Sequence, residues 1–192
     1  MEPLYVGDAL LIVDVQNDFL PGGALGVKGG DEILPVLRGY VDRFQARNLP
    51  IFLSQDWHPA NHCSFLDQGG PWPLHCVAGS TGALSPPSFP IPKQATIVQK
   101  ATLPEKEAYS AFQDTPLHEQ LQAAGIARLF IGGLATDYCV LNTVRDARVL
   151  GYHVFLLTDA IRAVNVAWED GRKAEEAMIR LGAIPTRLEY CV

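Results

Sequence analysis

The chain has 192 residues, 48% of them hydrophobic and 19% charged, and 15 Lys and Arg against 21 Asp and Glu leave a net charge of −6. At that length folding hides roughly 70% of the surface an unfolded chain exposes, so a small fold stapled by disulfides is excluded. The negative balance without any run of basic residues argues against nucleic acid or an anionic membrane as partner, and points to a small-molecule ligand. Cys63, Cys76, Cys139 and Cys191 show no paired spacing, no basic start precedes the first apolar run, and no apolar stretch nears the ~20 residues of a membrane span. Reduced thiols, a cytoplasmic location and one domain over residues 1–192 are expected, with a homo-oligomer left open.

Taken in chain order, Ala9 to Val15 is an apolar run ending around an acid, as a strand buried on both faces reads. Helical spacing of Ile33, Leu34, Leu37, Tyr40, Val41 and Phe44 follows, from about Asp31 to Arg47. Further strand-like runs are Ile51 to Ser54, Ala95 to Gln99, Leu129 to Gly132, Val154 to Thr158 and, more weakly, Ile184 to Leu188. Helices are expected over Leu117 to Ala124, Cys139 to Leu150 and Trp168 to Leu181, each closed by a glycine. The alternation predicts an α/β fold: a mainly parallel sheet of about six strands with helices on both faces.

Residues 57–92 break the pattern, being rich in Pro, Gly and Ser, with three of the five histidines. A long loop in a small domain is usually functional, and open α/β sheets bind ligands beyond the carboxyl ends of their strands. Strand one ends at Asp14, strand two runs into Asp56 and His58, strand three into Lys100, and strand four through Gly132 and Gly133 towards Cys139. A cysteine heading a helix is biased towards thiolate, and backbone N–H groups of the same turn can stabilise an oxyanion, although an inert buried cysteine fits the position equally. An aspartate such as Asp14 can take the thiol proton and later deliver it to a leaving amine, while the charge of Lys100 lowers both pKa values. Asp56 and His58, two apart in extended chain, point to one side. With His75 from the loop they make two imidazoles and one carboxylate, a set that leaves open positions on a metal; taken alone, they could equally be polar turn residues. His62 is an extra candidate ligand, and Phe19, Trp57, Trp72 and Tyr109 could wall a flat ring or simply pack in the core.

Five motifs then stand in order: Asp14-Val15-Gln16-Asn17-Asp18-Phe19, Asp56-Trp57-His58-Pro59, Trp72-Pro73-Leu74-His75-Cys76-Val77, Lys100, and Gly133-Leu134-Ala135-Thr136-Asp137-Tyr138-Cys139-Val140. Together they resemble the nicotinamidase branch of the isochorismatase-like cysteine hydrolases. The resemblance implies an Asp14, Lys100, Cys139 triad that cleaves an amide through a thioester, with a cis peptide between Leu134 and Ala135 and an oxyanion hole at the Ala135 and Cys139 N–H groups. It implies one divalent metal ion (Zn, Fe or Mn) on Asp56, His58 and His75, with His62 at a position of variable ligand type. Substrate contacts fall on Phe19, Trp72, Leu134 and Tyr109. The reaction implied is nicotinamide to nicotinate and ammonia in NAD salvage, with side activity on pyrazinamide. The alternative is a metal-independent cysteine amidase of the same family acting on an N-carbamoyl or ureido compound. Ala101 after Lys100, where a glycine is common, is a departure from the pattern.

Overall fold

In a computed structural model that describes residues 3–191, the six apolar runs form one sheet of parallel strands. They are β1 (Asp8–Val13), β2 (Ile51–Asp56), β3 (Thr96–Lys100), β4 (Arg128–Leu134), β5 (His153–Arg162) and β6 (Ile184–Thr186), in spatial order β3-β2-β1-β4-β5-β6. Four helices connect them: α1 (Leu34–Ala46), α2 (Leu117–Ala123), α3 (Leu141–Val149) and α4 (Asp170–Arg180). No helix among the described residues is long and apolar enough to cross a membrane.

The alternation of β1 sorts the core. Leu10 and Ile12 face one side and pack with Leu37, Tyr40, Val41 and Phe44 of α1. Ala9, Leu11 and Val13 face the other side and pack with Leu117 and Leu121 of α2, Val144 and Ala147 of α3 and Met178 of α4. Helix α1 starts with Pro35 in its first turn and stops where Asn48 turns left-handed at φ 53, which lets the Leu49 N–H return to the Phe44 carbonyl. The expected glycine stops also hold, with Gly125, Gly151 and Gly182 all at positive φ.

Two differences from the sequence reading matter for the site. Strand β1 ends at Val13, because Asp14 turns to φ 49 and carries its side chain out of the ladder. Helical backbone begins at Thr136 as a single π turn, Thr136–Val140, so Cys139 lies inside the first turn rather than heading it.

The sheet order reverses between β1 and β4, the crevice where doubly wound sheets place ligands. Gly133 lets these strands meet there. It has φ 124, and a Cβ on it would lie 2.1 Å from the Val13 carbonyl oxygen. Gly133→Ala is therefore expected to cost about 3 kcal/mol or more, a left-handed penalty plus overpacking against main chain. Urea denaturation would show it as a lower midpoint at unchanged slope.

Candidate active site

Strand ends bring Asp14, Asp56, Lys100 and Cys139 together beneath a cavity at the β1/β4 crevice. Lys100 is 1% exposed and Asp14 fully buried, so neither is the solvated surface charge its residue type suggests. The three ammonium protons are spoken for. Lys100 Nζ donates to Asp56 Oδ1, to the Ala108 carbonyl at 3.1 Å and towards Cys139 Sγ at 3.5 Å, and it also lies 3.0 Å from Asp14 Oδ2. Ser54 Oγ donates to Asp14 Oδ1 at 2.6 Å. Asp14 Oδ2 is buried with no aligned donor, and a carboxylate oxygen of Asp14 lies within 4.8 Å of the Cys139 sulfur.

Opposing influences act on the thiol and on the carboxyl beside it. Burial pushes the Cys139 thiol well above the ordinary thiol range, Lys100 pulls it down, and Asp14 and Asp56 push it up again, so the net shift is upward. Burial and Asp56 likewise raise the Asp14 carboxyl against the pull of Lys100 and Ser54. Lys100 lowers both groups, as expected, but burial wins. Both shifts run in the same direction, so burial opposes charge on the Cys139 and Asp14 side chains while Lys100 favours it. For Asp56 burial is outweighed by Lys100 and His58, which hold its carboxyl below the usual range. Lys100 itself remains an ammonium, since the surrounding anions more than offset its burial.

This cluster makes a stability prediction. Lys100→Met leaves Asp14 and Asp56 buried without their cation, which should cost about 3–5 kcal/mol near neutral pH. In the wild type the depressed Asp56 contributes stability that is present above its unfolded pKa and lost as pH falls through the folded value. In the variant both folded pKa values lie above their unfolded ones, so its deficit is smallest in acid and widens as pH rises through them. Urea titrations of the metal-free proteins between about pH 4 and pH 8 check this; a deficit independent of pH would contradict it.

Beside the triad, Asp56, His58 and His75 offer ligand atoms all within 4.8 Å of one another. The donor set fits a metal. His58 Nδ1 faces the Ala101 carbonyl at 3.3 Å and His75 Nδ1 the Pro73 carbonyl at 2.7 Å; a carbonyl can only accept, so each Nε2 carries the free lone pair. His58 Nε2 is buried without a hydrogen-bond partner, 3.4 Å from Asp56 Oδ2. Phe65 stands edge-on to both rings. Ala101 adopts φ 52 despite its methyl group, so the turn that presents its carbonyl to His58 forms without the glycine.

His62 does not join the set. Its ring lies 4.2 Å from that of His58, but Nδ1 is held by Ser64 Oγ at 2.7 Å and Nε2 by the Lys106 carbonyl at 3.0 Å. Both nitrogens are committed, so His62 packs the site and offers no lone pair.

The cavity above is lined by the aromatic residues Phe19, Trp72, Tyr109 and Tyr138, together with Ala135, Cys139 and Val164. Trp72 Nε1 donates to the Tyr109 hydroxyl at 2.9 Å, and Tyr138 meets Trp72 edge-on at 5.0 Å. Leu134 is elsewhere: it is fully buried in the α1-side core and lines no part of the cavity. Trp57 also packs against that core. The Leu134–Ala135 peptide is cis.

Residues 8–189 match the model of the isochorismatase domain. The chain belongs to the isochorismatase family. It is 41% identical to nicotinamidase of Escherichia coli (strain K12) over 91% of this chain and 92% of that protein. Among solved structures it resembles pyrazinamidase of Pyrococcus horikoshii in complex with zinc, at 43% identity and TM-score 0.91 over 94% of this chain and 99% of that one. It also resembles PnC1 from L. infantum in complex with nicotinate, at 35% identity and TM-score 0.90 over 97% and 96% of the two chains.

Within this family fold, several contributors escape the sequence reading. Ser54 was open to detection, because two residues before Asp56 on one strand it must face the same side. Phe65, Glu107 and Val164 reach the site from loops, where no period announces them.

Proposed function

We propose that this chain is a metal-dependent nicotinamidase, hydrolysing nicotinamide to nicotinate and ammonia through a thioester on Cys139, with side activity on pyrazinamide. One observation carries the reading: a single buried ammonium, Lys100, contacts the candidate nucleophile, the candidate base and the acid of the metal-fitting cluster at once. The aromatic wall suits a flat ring, and the similarity to the E. coli and P. horikoshii enzymes supports the substrate class.

The Cys139 thiol gives its proton to Asp14 as sulfur attacks the carboxamide carbon, so no free thiolate need accumulate. The tetrahedral oxyanion is received by the Ala135 and Cys139 N–H groups. The C–N bond breaks as Asp14 returns its proton to nitrogen, releasing ammonia and leaving a nicotinoyl thioester. Asp14 then takes a proton from water, the hydroxide displaces sulfur, and the proton goes back to Cys139. Lys100 keeps the negative charge tolerable throughout. Asp56, His58 and His75 would hold a divalent ion whose open positions accept water or a ring nitrogen. Phe19, Trp72 and Tyr109 fix the ring plane, which presents the carboxamide to Cys139. The reaction would supply NAD salvage in the cytoplasm, from a single domain spanning residues 1–192.

The test is ammonia release from metal-replete protein on nicotinamide, pyrazinamide and several ureido acids. Turnover of the first two supports the reading. Preference for a ureido acid, undiminished by chelation, would replace it with the metal-independent amidase.

A further inference from the structure

Gln16 takes no part in the chemistry above, yet its side chain is fully buried among the residues that do. Its amide is bonded at both ends. Nε2 donates to the Asp56 carbonyl at 2.8 Å and to the Ala83 carbonyl at 2.9 Å, and Oε1 accepts the Asp56 N–H at 2.8 Å. Two of these bonds engage the N–H and C=O of one residue, as a neighbouring strand would. Strand β1 cannot supply that partner itself, since its pairing with β2 ends at Val13 opposite Ser54 and Asp14 then turns away. The Gln16 side chain carries the ladder on from Ser54 to Asp56. On the opposite edge Asp56 pairs with Lys100 of β3, so its backbone is held from both sides.

The third bond reaches the loop that brings in His75, and the two residues after Gln16 fasten the same loop. The Asn17 N–H donates to the Leu84 carbonyl and the Asp18 N–H to the Gly82 carbonyl, while the Asp18 carboxylate accepts the N–H of Cys76, next to His75, at 2.7 Å.

We propose that Gln16 is a positioning residue for the metal, its amide locking the Asp56 backbone to the His75 loop so that the carboxylate and imidazoles are spaced before an ion arrives. The inference rests on the reading of Asp56, His58 and His75 as ligands. Partners that orient ligands are typically worth 10–100-fold in metal affinity. Gln16 acts through Asp56 and touches no substrate, so its loss should weaken metal binding more than it lowers the rate at saturating metal.

The experiment is competition for zinc between the protein and a chromophoric chelator. Gln16→Met keeps length and loses all three bonds. Gln16→Asn keeps the amide but is too short to span both main-chain groups of Asp56, and it decides the matter should the first variant not fold. Leu37→Ala, in the core of α1, controls for general destabilisation, and His58→Ala tests the ligand assignment. Zinc affinity reduced about tenfold or more in the Gln16 variants, with Leu37→Ala like wild type, is the expected result. Wild-type affinity in the Gln16 variants while His58→Ala loses zinc would overturn the inference alone, as would an equal loss in Leu37→Ala. Undiminished zinc binding by His58→Ala would overturn the ligand reading beneath it.

Discussion

Cys139→Ala should reduce nicotinamide turnover by at least about 10⁴-fold, since removing the nucleophile of a catalytic unit abolishes the covalent route altogether. The fold should persist. Cys139 is small and buried, and its thiol sits beside two carboxylates that raise its pKa, so removing it relieves a crowded polar cluster while leaving a cavity of one sulfur atom. Its melting temperature should stay within a few degrees of wild type. Cys139→Ser should be nearly as inactive, because Asp14 is a weak base for an alcohol proton. Activity near wild type in either variant would exclude the thioester.

The second large effect is expected at the two-imidazole, one-carboxylate cluster. His58→Ala, or treatment of the wild type with a chelator, should lower nicotinamide hydrolysis by about 10²-fold or more through loss of substrate positioning. Alkylation of Cys139 by iodoacetamide should continue in both cases, because Asp14, Lys100 and Cys139 contact one another without the imidazoles. Benzamide, which has the ring and amide but no ring nitrogen, should be a poor substrate throughout. Equal rates on benzamide and nicotinamide would remove the orienting role.

How far the sequence foretold this site depended on whether position or environment decides a property. The apolar runs and the Asp56-x-His58 alternation are set by backbone periods of two and 3.6, so the strand set, the helix stops and the facing of both side chains were legible. Asp14, Lys100 and Cys139 were readable as strand-end residues, and the switch point of the sheet brings them together. The direction of the thiol's pKa shift was not, because a helix terminus and a lysine pull it down while burial, which only folding sets, pushes it up further. His62 shows the same limit: its type suits a ligand, but Ser64 and the Lys106 carbonyl, brought in by folding, occupy both nitrogens. Leu134 sits within a functional motif, yet strand alternation turns its side chain into the core.

The most direct measurement of the central claim is rapid acid quench of the metal-replete enzyme with nicotinamide, followed by mass analysis of the peptide that carries Cys139. A nicotinoyl group should appear on that cysteine within the first turnover, with ammonia released ahead of nicotinate, and should disappear when the substrate is spent. Nicotinate and ammonia formed in step, with Cys139 unmodified at every time sampled, would contradict the account.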